Sequence, residues 1–134
     1  MTPDVTIAAE ATPVPLFAGL SRRQLALASR LSTQLEIPAG RVLAREGAVG
    51  AEFIVVLDGT VDVVRDGDLV ATRGPGAPLG EIALLSGRPR TATLVARTPL
   101  RVQVSSRSEF ECLLADIPEL SRRLQATMAE RLAA

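Results

Sequence analysis

Nine of the ten glycines in this 134-residue chain fall between Gln34 and Ser105, and they cut that stretch into valine-rich runs too short for ordinary helices. The breaks at Gly40, Gly47, Gly50, Gly59, Gly67, Gly74, Gly76 and Gly87 predict short β-strands joined by tight turns. Two of the breaks are Asp-Gly pairs, which suit turns that require positive φ. Asp58-Gly59 separates 52–57 from 60–65, and Asp66-Gly67 separates that second run from 68–73, so the pattern predicts two successive hairpins forming a meander. Pro38-Ala39-Gly40 and Gly74-Pro75-Gly76 mark further turns. Many short strands at this spacing belong to a barrel or a sandwich.

Helical signals flank the strands. Ser21 with Gln24 reads as a capping box, and Leu25, Ala28 and Leu31, or Leu27 and Leu31, continue one apolar face, which predicts a helix over 21–32. Ser106 with Glu109 repeats the signature ahead of Phe110, Leu113 and Leu114. Pro118 suits the first turn of a last helix, where Leu120, Leu124, Met128 and Leu132 recur every four residues. Residues 1–15, with Pro3, Pro13 and Pro15 and no period of either kind, are expected to be a flexible tail, leaving 16–134 as a single domain.

Composition removes several function classes. The fifteen basic residues are all arginine and are balanced by fifteen acids, so no bulk charge favours nucleic acid. The three aromatics, Phe17, Phe53 and Phe110, sit in apolar patterns and offer no stacking platform. Without lysine there is no Walker-type phosphate loop, and without histidine, with Cys112 alone, there is no ligand set for zinc or iron and no internal disulfide. No metal or other cofactor is expected. No apolar run approaches a membrane span, and Asp4 and Glu10 occupy the segment where a signal peptide carries positive charge, so the expectation is a cytoplasmic chain with no membrane partner.

One run stands apart from the strand pattern: Gly80-Glu81-Ile82-Ala83-Leu84-Leu85, then Arg88-Pro89-Arg90-Thr91-Ala92-Thr93. Gly80 permits close approach of backbone to a ligand, and 81–85 has the length of one helical turn whose free N–H groups suit a phosphate. Arg90 adds a planar, permanently charged fork for two phosphate oxygens. Each residue alone has an ordinary explanation: a helix-favouring acid, a surface arginine, a turn glycine, strand threonines. Together they are harder to dismiss, because a strand-rich domain has little structural reason to interrupt itself with one apolar turn between an acid and an arginine.

In this order, a helix, a glycine-punctuated roll with an embedded helical turn, and two C-terminal helices, the chain closely resembles the cyclic nucleotide-binding domain family over about 16–132. Gly40-Arg41-Val42-Leu43, Glu46-Gly47, Leu57-Asp58-Gly59 and Gly74-Pro75-Gly76 follow the family's order, and 80–85 with 88–93 match its phosphate-binding cassette. The resemblance implies a mainly β fold with flanking helices: a jelly-roll-like β-roll, or double-stranded β-helix, with an N-terminal helix and two C-terminal helices. It implies a non-catalytic sensor for a cyclic purine mononucleotide, cAMP ahead of cGMP. Arg90 would hold the cyclic phosphate with amides near Ala83 and Ala92, and Glu81 would accept from the ribose 2′-hydroxyl. Thr91 would bond phosphate or base, Gly80 would let the backbone approach the ligand closely, and Ile82 and Val63, with Leu69 or Ala71, would give apolar contact to the ribose or base. Met128, Leu124, Arg123 or Arg131 would lie over the base as a lid. Ala77-Pro78-Leu79 departs from the family's usual acidic, polar or aromatic residues before the cassette. The signal would pass to a protein partner or a separate output domain. The competing expectation is a degenerate member of the fold serving as an interaction or oligomerisation module; a cupin-type enzyme is disfavoured because its metal-holding histidines are missing.

Overall fold

The computed structural model describes residues 14–133, so the expected tail over 1–15 lies outside the described residues apart from its last two. Val14 is buried, and Pro15 opens a 3-10 turn over Pro15–Phe17. Helix α1 (Arg22–Arg30) begins at Ser21, whose side chain accepts from the Gln24 N–H while Gln24 reaches back to the Ser21 N–H. The reciprocal cap satisfies two otherwise orphaned donors. Eight strands follow in two antiparallel sheets. One contains β1 (Thr33–Ile37), β8 (Leu100–Ser106), β3 (Glu52–Asp58) and β6 (Pro78–Leu79), in that spatial order. The other contains β2 (Val42–Ala44), β7 (Thr93–Ala96), β4 (Val61–Arg65) and β5 (Asp68–Arg73). Helix α2 (Glu81–Ser86) is set between β6 and β7, and α3 (Arg107–Asp116) and α4 (Pro118–Ala133) close the chain. This is a β-roll with flanking helices.

One expectation needs correction. The segments on either side of Asp58-Gly59 do not pair as a hairpin: β3 lies in one sheet and β4 in the other, so the turn is a corner that carries the chain between sheets. Asp58 Oδ1 accepts from the Gly59 N–H at 3.1 Å, and Gly59, at φ +92°, abuts the Pro99 carbonyl and Thr98, leaving no room for a side chain. Asp66-Gly67 does close a hairpin, β4 with β5, and both residues have positive φ, 52° and 82°. Pro78 pairs with Val55 at the sheet edge, where a missing N–H is tolerated.

Strand β3 is apolar on both faces, as befits a strand covered on both sides. Phe53, Val55 and Leu57 pack with Phe110, Leu113, Ile117, Leu120 and Leu124 from the C-terminal helices. Ile54 and Val56 face Val61, Leu79, Leu94 and Val102 between the sheets. Leu120 and Leu124 therefore anchor the first half of α4 to the core. Pro118 occupies the first position of α4, where its missing N–H costs nothing.

Candidate functional site

A cavity of about 320 Å³ opens between the β4–β5 hairpin, α2, the loop before β7 and the last turn of α4. Its size lies at the lower end of the roughly 300–1,000 Å³ usual for small-molecule sites. Gly80, Glu81, Ile82, Ala83, Arg90, Thr91, Ala92 and Val63 all line it. Ala71 also lines it, and Leu69 does not: the hairpin presents Val70 instead. Of the four lid candidates only Arg131 borders the cavity. Leu124 is in the core, and Arg123 donates to the Leu16 carbonyl at 2.8 Å.

Arg90 is fixed at both ends. Its N–H donates to the Ala48 carbonyl and its own carbonyl accepts from the Gly47 N–H, each at 2.8 Å, which clamps the backbone to the 45–48 turn. At the tip, Nη2 donates to the Glu52 carbonyl at 2.9 Å. Nη1 is buried and has no hydrogen-bond partner among the described residues. An arginine 9% exposed with one guanidinium nitrogen unsatisfied is an uncommon arrangement, because a buried donor without an acceptor is costly. Burial pulls the Arg90 pKa below its ordinary value, with the Glu52 charge the largest influence in the other direction. Among the described residues Arg90 forms no ion pair.

Two glycines create room for this side chain. Gly80, in the left-handed region at φ +88°, is the N-cap of α2, and a Cβ there would land on Arg90 Nη1 and come within 2.7 Å of the Glu52 carbonyl oxygen. A Cβ on buried Gly50 would overlap Ala83 Cβ and reach 3.4 Å from Arg90 Nε. Beside this cradle the first-turn amides of α2 have no helical acceptors behind them. An anion resting against Arg90 Nη1 would meet a donor already in place.

Glu81 is 1% exposed and already engaged. Arg131, in the last turn of α4, brings Nη1 to 2.8 Å from Glu81 Oε1 and 2.6 Å from Oε2. Burial raises the Glu81 carboxyl above its ordinary 4.5, and the attraction of Arg131 offsets only part of that rise. Burial likewise lowers Arg131. Two further arginines, Arg65 and Arg73, border the cavity without forming an ion pair among the described residues. The sequence reading missed the Arg131–Glu81 pair, the Glu52 carbonyl, the packing role of Gly50, and the positions of Arg65 and Arg73. None of these has a local signal, since each depends on residues far apart in the chain.

A β-roll with an embedded turn, a buried arginine and a glycine cradle defines a ligand-binding regulatory fold, and the comparisons agree. The family model described as cyclic nucleotide-binding domain matches residues 34–116, more than half of the chain, and the chain belongs to that family. It is 35% identical over 118 residues to a cyclic nucleotide-gated potassium channel of Mesorhizobium japonicum, a match covering 88% of this chain and 33% of that protein. The catabolite activator protein of Thermus thermophilus is similar with a TM-score of 0.79 at 29% identity, over 89% of this chain and 58% of that one. The regulatory subunit of a cAMP-independent protein kinase A from Trypanosoma brucei gives 0.82 at 26% identity, over 91% and 44%. The chain spans about a third of the length of the first curated relatives it matches. Among the described residues no helix is long and apolar enough to cross a membrane.

Proposed function

We propose that the chain is a non-catalytic sensor domain that binds a cyclic purine mononucleotide, cAMP or cGMP, in the cavity between α2 and the β4–β5 hairpin, and signals through its C-terminal helices. The observation that carries this reading is Arg90, a cavity-lining arginine whose Nη1 is buried beside Gly80 with no hydrogen-bond partner among the described residues. A cyclic phosphate supplies the missing acceptor together with a negative charge. Glu81, Ile82 and Val63 form the wall beyond the phosphate, where ribose and base would extend, and Thr91 adds a hydroxyl next to the arginine. The relatives support the ligand class: one is named a cyclic nucleotide-gated channel. Because α4 is anchored in the core at one end and borders the cavity at the other, occupancy there has a route to a partner or to a neighbouring domain. A ligand shifts that arrangement only by binding one state better than another. The location consistent with this role is the cytoplasm, where cyclic nucleotide signals are read.

The test is a calorimetric titration of the purified chain with cAMP, cGMP and 5′-AMP. Saturable binding of at least one cyclic nucleotide, with 5′-AMP much weaker, is expected. Equal affinity for the open-chain and cyclic phosphates, or no binding by any of the three, refutes the reading and favours an interaction module on the same fold.

A further inference from the structure

Resting on the cyclic nucleotide reading, a residue outside the cavity acquires a part in binding. The β4–β5 hairpin supplies one wall of the cavity through Val63, Arg65, Val70, Ala71 and Arg73. The sheet fixes the base of that hairpin but not its tip. β4 pairs with β7 only as far as Val64, opposite Thr93, and β5 is the outer strand, so 65–68 extend past the end of the β4–β7 ladder. Leu69 and Val70, next to the tip, are 54% and 49% exposed, and apolar packing therefore contributes little to where the tip sits.

Two side-chain hydrogen bonds tie the tip to the segments around Arg90. Arg65 Nε donates to the Thr91 carbonyl at 3.2 Å, and the Asp66 N–H donates to Glu46 Oε1 at 3.0 Å. Asp66 has a positive φ of 52°, uncommon for a residue with a side chain, so an acceptor fixed on its N–H helps to hold that conformation. Glu46 is in turn fixed to the strand beyond the arginine. Its own N–H donates to Thr93 Oγ1 at 3.0 Å, and the 45–48 turn that carries it is clamped to the Arg90 backbone by the two 2.8 Å bonds. Arg65 borders the cavity, whereas Glu46 is exposed and lies outside its lining. A substitution at Glu46 therefore acts on the wall without removing a lining residue.

We propose that Glu46 is a positioning residue for the ligand: by accepting from the Asp66 N–H it holds the hairpin tip at the spacing from Arg90 at which one ligand meets both walls. A wall already in place spares the ligand the cost of ordering it. The hydrogen bond does this rather than the charge, so a carboxamide at this position serves as well as a carboxylate.

The experiment uses the full chain and has two arms, each comparing wild type, Glu46→Ala, which removes the acceptor, and Glu46→Gln, which keeps an acceptor without the charge. In the first, amide hydrogen exchange is followed residue by residue by NMR without ligand. Glu46→Ala should speed exchange of the Asp66 amide by roughly threefold or more while Val61 to Val64 keep their protection, and Glu46→Gln should stay close to wild type. Unchanged Asp66 exchange in Glu46→Ala overturns the proposal. In the second arm the three proteins are titrated with cAMP and cGMP by calorimetry. Glu46→Ala should raise the Kd of the better ligand by about three- to tenfold, the scale of one lost hydrogen bond, and Glu46→Gln by less than about twofold. Equal Kd in wild type and Glu46→Ala overturns the positioning role. Binding as weak in Glu46→Gln as in Glu46→Ala overturns it too, because the effect then belongs to the charge. If wild type binds neither nucleotide, it is the cyclic nucleotide reading that fails, and the part of Glu46 in binding falls with it.

Discussion

Replacing Arg90 with alanine separates its part in binding from its part in the fold. Among the described residues Arg90 Nη2 holds one carbonyl, that of Glu52, and Nη1 has no partner. The fold therefore loses one hydrogen bond, a change of about 1 kcal/mol, and is relieved of a desolvated charge, so the two effects largely cancel. Binding has no such compensation. A charged partner removed from a desolvated pair costs about 2–5 kcal/mol, which corresponds to roughly a 30- to 5,000-fold rise in Kd. Arg90→Ala should accordingly melt within a few degrees of wild type and bind the preferred cyclic nucleotide at least about thirtyfold more weakly by calorimetry. Arg90→Lys keeps the charge without the planar fork and should fall between the two. A Kd for Arg90→Ala within threefold of wild type, in a protein whose melting temperature is unchanged, would refute the reasoning.

Other consequences follow from the packing. Gly50→Ala forces a methyl group onto Ala83 Cβ and toward Arg90, and should destabilise the chain by about 1–3 kcal/mol and weaken ligand binding; chemical denaturation showing no loss means the cradle is looser than described. Leu124→Ala, at a site with 0% exposure, should cost about 2–5 kcal/mol in the same assay if the residue belongs to the core. A loss under about 1 kcal/mol argues that it faces the ligand instead. Glu81 gives a pH test. Its carboxyl is raised by folding above 4.5, so its favourable contribution is complete below that value and is lost as pH rises through the folded value. The melting temperature of Glu81→Gln minus that of wild type should therefore grow more positive between pH 4.5 and 7, and a difference that shrinks over that interval contradicts the assigned burial.

The sequence made the local elements legible because their causes are local. Ser21 with Gln24 and Ser106 with Glu109 are each a reciprocal cap within three residues, and both helices start where those pairs indicate. Asp66-Gly67 closes a hairpin because two consecutive residues adopt positive φ. Asp58-Gly59 looks the same in sequence, yet it turns a corner, since the pairing of β3 with β8 and of β4 with β7 is decided by strands far away along the chain. The cassette residues are contiguous enough to stand out as a run, and the structure gathers them around one cavity. The stripe at Leu120, Leu124, Met128 and Leu132 shows only that one face of α4 is apolar. A four-residue repeat does not say whether core or ligand lies beneath it, and at Leu120 and Leu124 it is core. Arg131 was one of several arginines on that helix, and its selection for Glu81 is a property of tertiary geometry alone.

The most direct measurement is a crystal structure of the chain with a bound cyclic nucleotide. The account predicts a phosphate oxygen within about 3 Å of Arg90 Nη1, the donor that has no hydrogen-bond partner among the described residues. A cyclic nucleotide bound elsewhere, or seated in this cavity with Arg90 Nη1 facing no ligand oxygen, would contradict it.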